Sequence, residues 1–273
     1  DPSWAESESS DNFAMHVFKL NDEKQMGTLV HSYALPGTAL KDHINYFHYL
    51  ITNFNIVSIV GDYNGGVQFL NAVNESKQFK DSNIKIELIT PDFDKPENYE
   101  NDLRKARREY DLDSRRICIL RKPTGQWIRR ANELLQANFD HRRIAFGSRP
   151  IDDNYVSQIK KKIPIKKLKF ANYVEQTEKE SAAAKMIDFV EHQYDMVNLT
   201  KTECALIQIK TTPQGHQSFD LPDTLKRTSG PNKARKDSYS AIVLGNWMIK
   251  TYYDYMNVDC TNWQTTFQPM FIG

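Results

Sequence analysis

A short apolar run that ends in an acid constrains the fold of this chain more than any other feature. The run 56–60 (IVSIV) is followed by Gly61 and Asp62, and residues 67–79 then show helical spacing. A continuous apolar run is typical of a strand buried on both faces. Open α/β sheets place functional side chains just beyond the carboxyl ends of such strands, although Asp, Asn and Gly also favour plain turns. Asp62 is therefore a candidate whose role depends on partners elsewhere in the chain.

The order of the apolar patterns in the first half predicts a mixed α/β sheet. Two alternating segments, 11–20 and 27–35, are separated by a polar turn and predict an antiparallel hairpin. Residues 40–54 carry apolar side chains at the 3.6-residue period of a helix. The strand 56–60, the helix 67–79 and a strand over 84–90 follow, and a hairpin followed by this alternation indicates the mixed sheet.

The second half continues the alternation with more polar connections. The predicted elements are short strands in RRICILRK (115–122) and RRIAFGS (142–148), a helix over 126–139, a helix over 178–197, a strand over 204–212 and an apolar closing helix over 236–256. Residues 159–170 are too basic for a core, and predict an exposed hairpin or loop. The polar, Pro- and Gly-containing stretch 213–236 predicts a long functional loop.

Composition excludes several classes of protein. The 273 residues suit one large domain or two small ones, and 40% of them are hydrophobic, which is enough to build a core. The three cysteines, Cys118, Cys204 and Cys260, form no CxxC pair and no Cys/His cluster. Their spacing indicates neither a zinc site nor a disulfide framework, and it favours a protein of a reducing compartment. No apolar run reaches membrane length and no P-loop pattern occurs, and the acidic, polar start of the sequence is not expected to be a signal peptide.

Charge is divided very unevenly along the chain. Residues 1–103 carry 7 Lys and Arg against 16 Asp and Glu, whereas residues 104–169 carry 19 against 7. A block of such positive density favours binding to a polyanion, and a solvated helical face is the alternative. We take polyanion binding as the hypothesis because the block is so concentrated.

Three acids lie where two-metal phosphodiester chemistry needs them. That chemistry uses carboxylates from separate elements, because paired hard cations take oxygen ligands and clamp the attacking and leaving oxygens. Ribonuclease-H-like proteins draw these acids from the first strand, the tip of the fourth strand and the start of the last helix. Similar positions in this chain are held by Asp1, Asp62 and Asp237.

With these acids, the chain resembles the C-terminal nuclease domain of the large terminase subunit of tailed bacteriophages. The likeness is carried by DPSWAESESSDNFAMHVF at the start, by IVSIVGDYNGG, and by KDSYSAIVLGNWMI in the closing helix. The resemblance covers nearly the whole chain. It implies a single domain over 1–273 with a ribonuclease-H-like mixed sheet flanked by helices, a basic insertion at about 91–170, and the loop 213–236 near the site.

The resemblance also implies a function and a setting. It implies an endonuclease that cuts double-stranded viral DNA during genome packaging with little sequence preference, using two Mg²⁺ or Mn²⁺ ions held by Asp1, Asp62 and Asp237. The implied partners are an ATPase motor domain of the same protein, a portal protein and a small terminase subunit, at the viral procapsid in the host cytoplasm and not in a membrane.

The basic block supplies the predicted contacts to DNA phosphates, which give affinity without reading sequence. The candidates are Arg129, Arg130, Arg142, Arg143, Lys160, Lys161, Lys162, Lys166 and Lys167. Two other functions remain open. One is a nuclease of the resolvase or transposase type on the same fold, and the other is a DNA-binding packaging module without catalysis.

For four further residues the sequence favours a structural or solvated role over a role in the site. Asp11 is expected to be a solvated acid at a strand start, and Asp220 a turn acid, although either could approach a metal. His216 could shuttle protons but is expected to be solvated, and Trp127 is expected to belong to the core rather than to stack on a base.

Overall fold

Strands and helices alternate along the part of the chain that the computed structural model describes, residues 11–90, 117–147, 179–211, 217–226 and 234–256. The elements in chain order are β1 (Phe13–Asn21), β2 (Met26–Leu35), α1 (Leu40–Asn53), β3 (Ile59–Asp62), α2 (Tyr63–Glu75), α3 (Lys77–Asp81), β4 (Glu87–Ile89), β5 (Ile117–Arg121), α4 (Gly125–Asp140), β6 (Ile144–Phe146), α5 (Lys179–Leu206), β7 (Gln208–Thr211), β8 (Gln217–Asp220), α6 (Asp223–Lys226) and α7 (Asp237–Met256). The predicted α/β class is confirmed.

The strands form two three-stranded sheets and one separate hairpin. In the mixed sheet the order is β1-β2-β6, with β1 antiparallel to β2 and β6 parallel to β2. In the parallel sheet the order is β3-β5-β4. Strands β7 and β8 pair with each other in antiparallel fashion. The predicted hairpin at the start of the chain is confirmed as β1 and β2.

Three apolar clusters of described residues bury the faces of these sheets, and the smallest joins β5 to α7. The first lies around α1 and α2 and contains Phe13, Phe47 and Phe79. The second lies between α4, α7 and the mixed sheet and contains Leu29 and Trp127. Trp127 is only 7% exposed, so the prediction that it belongs to the core is confirmed. Within the described ranges no helix is long and apolar enough to cross a membrane.

Helix α7 lies directly against β1 and also packs against β2, β3, α4 and α5. The approach to β1 is so close that a Cβ atom added to Gly245 would meet Cε2 of Phe18 at 2.6 Å. A glycine at this point therefore lets the helix backbone approach the sheet.

Strand β3 differs from its prediction in both position and burial. The strand covers Ile59–Asp62 rather than 56–60, and all four of its residues are half-buried instead of fully buried. The physical reason is that β3 is an end strand among the described elements, whereas β5 beside it is buried from Ile117 to Leu120. The predicted fully buried strand is therefore wrong in this respect.

Two other expectations need correction. Residues 204–206 continue helix α5 instead of starting a strand, because Cys204 lies on the face of that helix that packs on the second cluster. The predicted loop 213–236 contains strand β8 and helix α6. Within the predicted basic insertion, residues 117–147 form β5, α4 and β6, and these elements contribute to the core. Residues 159–170 lie outside the described residues.

We predict that replacing Gly245 with Ala destabilises the protein by roughly 1–3 kcal/mol, because the added methyl group overpacks against Phe18. Urea unfolding measures the change. The matched control is Gly125→Ala in the first turn of α4, where an added Cβ meets nothing within 4 Å. Equal stabilities of the two variants would contradict the close packing of α7 on β1.

Candidate functional site

Asp62 lies at the carboxyl end of β3 and begins the turn into α2. Its Oδ1 accepts a hydrogen bond of 2.7 Å from the backbone N–H of Asn64, and Gly65 follows with a φ of 80°, a conformation that favours glycine. This hydrogen bond shows that Asp62 helps to form a turn, as one of the two interpretations of the sequence predicted. Burial raises the pKa of Asp62, while the bond from Asn64 lowers it. The carboxylate therefore lies in a partly dehydrated environment.

Asp237 is buried at the start of α7. Its Oδ2 accepts a hydrogen bond of 2.7 Å from the backbone N–H of Asn12, which joins the start of the last helix to the start of β1. Burial raises the pKa of Asp237, the bond from Asn12 lowers it, and the nearby charge of Asp11 raises it. This carboxylate is consequently placed between two elements that are far apart in sequence.

Glu203 is a second carboxylate beside the start of α7, and it comes from α5. Its Oε2 accepts a bond of 3.3 Å from the backbone N–H of Tyr239. Burial and then the charge of Asp237 raise the pKa of Glu203 to about 7, although hydrogen bonds from Tyr239 and Ser238 lower it. Because helix N-termini favour anions, Glu203 caps α7 from another helix while repelling Asp237.

A buried polar chain holds the first turn of α7 against the sheet. Nε2 of His16 lies 3.1 Å from the carbonyl oxygen of Ser238, and Nδ1 of His16 lies 3.0 Å from Oγ of Ser32. Oγ of Ser32 lies 2.8 Å from Oγ1 of Thr200 on α5. Burial lowers the pKa of His16 to about 3, so the ring is neutral at pH 7 and donates from Nε2 to the carbonyl. These hydrogen-bonded side chains fix the position of the helix turn that carries Asp237.

Asp62 and the helix that carries Asp237 face each other. Val60, two residues before Asp62 and on the same face of β3, packs against the second cluster, which includes Tyr239. Arg121 is the partner of Asp62 on the neighbouring strand, and its guanidinium lies 5.5 Å from the ring centroid of Trp247 on α7. The face of the parallel sheet that carries Asp62 is therefore the one that α7 covers.

The described residues do not bring Asp62 and Asp237 into one metal-binding group. Neither a hydrogen bond nor an ion pair of the described ranges joins them. Within those ranges, no group of three or more His, Cys, Asp and Glu side chains could hold a metal ion. The third predicted ligand, Asp1, lies outside the described residues.

Asp220 is held by lysines at the end of β8. Its Oδ2 lies 2.6 Å from Nζ of Lys226, and its Oδ1 lies 3.1 Å from Nζ of Lys236, the residue before Asp237. Burial raises the pKa of Asp220, but the bonds from the two lysines outweigh burial and lower it to about 2. Asp220 thus ties the β7–β8 hairpin to the start of α7. His216, the other candidate of this stretch, lies outside the described residues.

The predicted DNA contacts that the structure describes are all exposed. Arg129 and Arg130 lie on α4, and Arg142 and Arg143 lie in the turn before β6. Nε of Arg129 lies 2.8 Å from Oε1 of Glu133. The five lysines of the prediction, Lys160, Lys161, Lys162, Lys166 and Lys167, lie outside the described residues. DNA binding by the four arginines stays a prediction.

Sequence reasoning missed Glu203, Asn12 and Arg121. A signal for Glu203 was present, because Val197, Thr200 and Glu203 recur at helical spacing and the first two are buried. An acid on that stripe would have been noticed if the helix had been extended to residue 206. Asn12 contributes only its backbone N–H, for which the sequence carries no signal.

Comparison of the chain with protein-family models, curated proteins and solved structures finds no match.

We predict that Glu203→Gln gains stability over the parent protein as the pH rises. In the parent the folded-state pKa of about 7 is above the unfolded value near 4.5, so the contribution of Glu203 is fully present below pH 4.5 and is lost as the pH rises through 7. Urea unfolding between pH 5 and pH 8 should show a relative gain of roughly 1–3 kcal/mol. Glutamine keeps an oxygen that accepts from Tyr239.

The matched control for this experiment is Glu133→Gln, which changes an exposed acid of α4. Its stability relative to the parent should stay constant within about 0.5 kcal/mol over the same range. A pH-independent difference between the parent and Glu203→Gln would contradict the half-buried position of Glu203 beside Asp237.

Proposed function

We propose that the chain is a metal-dependent endonuclease domain with a ribonuclease-H-like fold that cuts double-stranded DNA during viral genome packaging. The observation that carries the proposal is the placement of Asp62 and Asp237 on two elements that face each other, β3 and α7. Both carboxylates have pKa values raised by burial. Asp62 lies at the carboxyl end of a parallel sheet, where a carboxylate with a perturbed pKa is a candidate for chemistry.

The donor set suits a hard divalent cation. Asp62 uses Oδ1 for the turn and Asp237 uses Oδ2 for Asn12, so each has a second oxygen to offer. Carboxylate oxygens are the ligands that Mg²⁺ and Mn²⁺ prefer. A cation would also offset the dehydration of both groups. Asp1 is the proposed third ligand, and two bound ions would lower the pKa of an attacking water and stabilise the leaving 3′ oxygen.

The other residues of the site act on these carboxylates rather than on DNA. The Asn12 N–H orients Asp237. The hydrogen bonds of His16 with Ser238 and Ser32 fix the helix turn on which Asp237 lies. Glu203 caps the start of α7, and burial together with the charge of Asp237 raises the pKa of Glu203 to about 7. A carboxyl group with that pKa can take up or release a proton near neutral pH.

The proposed DNA-facing residues are the four exposed arginines and the five lysines of the basic block. Their charge complements phosphate and gives affinity without sequence preference. The proposal includes an ATPase motor domain of the same protein, a portal protein and a small terminase subunit as partners at the procapsid in the host cytoplasm. A nuclease of the resolvase or transposase type with the same carboxylates is an alternative. Finding an ATPase motor domain in the same protein would favour the packaging nuclease over this alternative.

A non-catalytic DNA-binding module is the second candidate. The observation that favours it is that Asp62 and Asp237 both make structural hydrogen bonds, one capping a turn and the other joining two elements. This candidate predicts that divalent metal has no effect on the protein.

We predict that Asp62→Asn and Asp237→Asn each lower the nicking of supercoiled plasmid in Mn²⁺ by at least about 100-fold, because losing even an outer partner of a metal ligand costs 10–100-fold. EDTA should abolish nicking by the parent. Circular dichroism would establish that both variants are folded.

The control for the nicking experiment is Asp254→Asn, which removes an exposed acid of the same helix that pairs with Lys250. This variant should cut at the parent rate. Full activity of Asp62→Asn or Asp237→Asn would remove that residue from the site, and nicking that persists in EDTA would refute metal dependence.

We predict that replacing Arg142 and Arg143 together with Ala flattens the slope of log affinity against log salt by about 1.8 on duplex DNA, since each lost phosphate contact removes about 0.9. The corresponding figure for Lys160, Lys161 and Lys162 together is about 2.7. Titrations in Ca²⁺ would measure binding with little expected cutting. Lys41→Ala, an exposed change on α1, is the control and should keep the slope. If the multiple variants keep the salt dependence of the parent protein, DNA does not contact the substituted arginines and lysines.

A further inference from the structure

Three donors surround one exposed carboxylate beside the start of α7. Oδ2 of Asp220 lies 2.6 Å from Nζ of Lys226 on α6, and Oδ1 lies 3.1 Å from Nζ of Lys236, the residue before α7. Oδ1 also accepts a hydrogen bond of 2.9 Å from the backbone N–H of Leu221. Both oxygens of the carboxylate are therefore engaged by donors. We call the two lysines and the Leu221 N–H the Asp220 site.

A second acid and a third lysine lie next to the Asp220 site. Nζ of Lys210 on β7 lies 2.7 Å from Oδ1 of Asp223, and the same oxygen lies 3.8 Å from Nζ of Lys226. Asp223 thus pairs closely with Lys210, whereas Lys226 lies much nearer to Asp220. Removing the charge of Asp220 therefore frees Lys226 and Lys236 and leaves the Lys210 pair in place.

The ion pairs of the Asp220 site are open to solvent. The side chain of Asp220 is 29% exposed, and the side chains of Lys226 and Lys236 are 39% and 43% exposed. Ion pairs between exposed side chains contribute little to stability, because water solvates the separated charges. A competing anion can therefore take the two lysines from Asp220 at small cost.

The donors of the Asp220 site suit a phosphodiester group as well as a carboxylate. Both groups carry one negative charge that is shared by two oxygens, and lysine ammonium and backbone N–H groups are common donors to phosphate. The surrounding sequence also favours an anion, since residues 224–236 contain five Lys and Arg and neither Asp nor Glu. Asp220 is therefore the acid that keeps this basic stretch from presenting free lysines.

We propose that the Asp220 site binds one phosphate group of the DNA backbone, and that the Asp220 carboxylate occupies the site until DNA displaces it. This inference rests on the proposed function for DNA as the source of the phosphate. Because Lys236 precedes Asp237, a phosphate held there lies next to the start of α7, where the candidate site begins. The contact gives affinity without reading sequence. The free protein thus carries a competitor for its own ligand.

The test is the variant Asp220→Asn, which keeps the shape of the side chain and removes its charge. Since the two lysines no longer pair with a carboxylate, the variant should bind duplex DNA about 3- to 10-fold more tightly than the parent in Ca²⁺ at low salt. The gain should shrink as the salt concentration rises, because salt screens the ion pairs of the parent. The matched control is Asp254→Asn, which also removes one acid and frees one exposed lysine, Lys250. It should bind with the affinity of the parent.

The lysines decide whether the gain comes from this site. Replacing Lys226 and Lys236 together with Ala should flatten the slope of log affinity against log salt by about 1.8, since two phosphate contacts are lost. In that background Asp220→Asn should leave the affinity unchanged, because no lysine remains to be freed. A gain that persists without the lysines, or a parent-like affinity of Asp220→Asn, would overturn the proposal. If Asp220→Asn fails to fold, the slope of the double lysine variant decides, and a parent-like slope would overturn the proposal.

A second ligand separates this inference from the proposed function. Inorganic tripolyphosphate offers phosphate oxygens without nucleosides, and calorimetry in EDTA measures its binding. Asp220→Asn should bind it about 3- to 10-fold more tightly than the parent does. If the parent binds no duplex DNA but this gain is found, the DNA function is contradicted while the phosphate site stands, with a small phosphorylated molecule as its ligand. Absence of a gain with both ligands would overturn the phosphate site even in a protein that cuts DNA.

Discussion

The packing of helix α7 on strands of both sheets is the interaction on which the rest of the structure depends. The mixed and parallel sheets share no strand pairing among the described residues, and α7 contacts strands of both. Its close approach to β1 requires Gly245, and its first turn is fixed by bonds from Asn12, by His16 and by Glu203. The same helix therefore positions Asp237 and completes the apolar core.

Local patterns made much of the fold predictable. The hairpin of β1 and β2, the amphipathic helix α1 and the closing helix α7 follow from alternation, helical period and turn residues within single segments. The positions of Asp62 at a strand tip and Asp237 at a helix start follow from the same patterns. Sequence could not supply the contacts between distant segments, such as the bond from Asn12 to Asp237 or the capping of α7 by Glu203, because backbone donors and helix ends have no signature at the partner residue.

The errors have more than one physical origin. Strand β3 was expected to be buried because its residues are apolar, but burial depends on a neighbour that the described chain does not place there. Residues 204–206 were assigned to a strand as the start of an apolar run, yet they extend α5, which packs on the mixed sheet and on α7. Ala205 and Leu206 are good helix formers, so the error lay in placing the boundary between helix and strand.

The candidate site lies beside a cavity between the two sheets, and Asp62 lines this cavity at the carboxyl end of β3. Rigid support matters for carboxylates that share cations, because small displacements of ligands weaken binding and catalysis. Folding and chemistry are thus linked through one edge of the parallel sheet.

Counting bound Mn²⁺ by electron paramagnetic resonance tests the central claim most directly, because only free Mn²⁺ gives the sharp six-line signal. The account predicts that the parent protein removes two Mn²⁺ per chain from that signal, that Asp62→Asn and Asp237→Asn lose most of this binding, and that Asp254→Asn keeps it. A parent protein that leaves the free signal unchanged at excess protein would contradict the account, since Asp62 and Asp237 would then not serve as metal ligands.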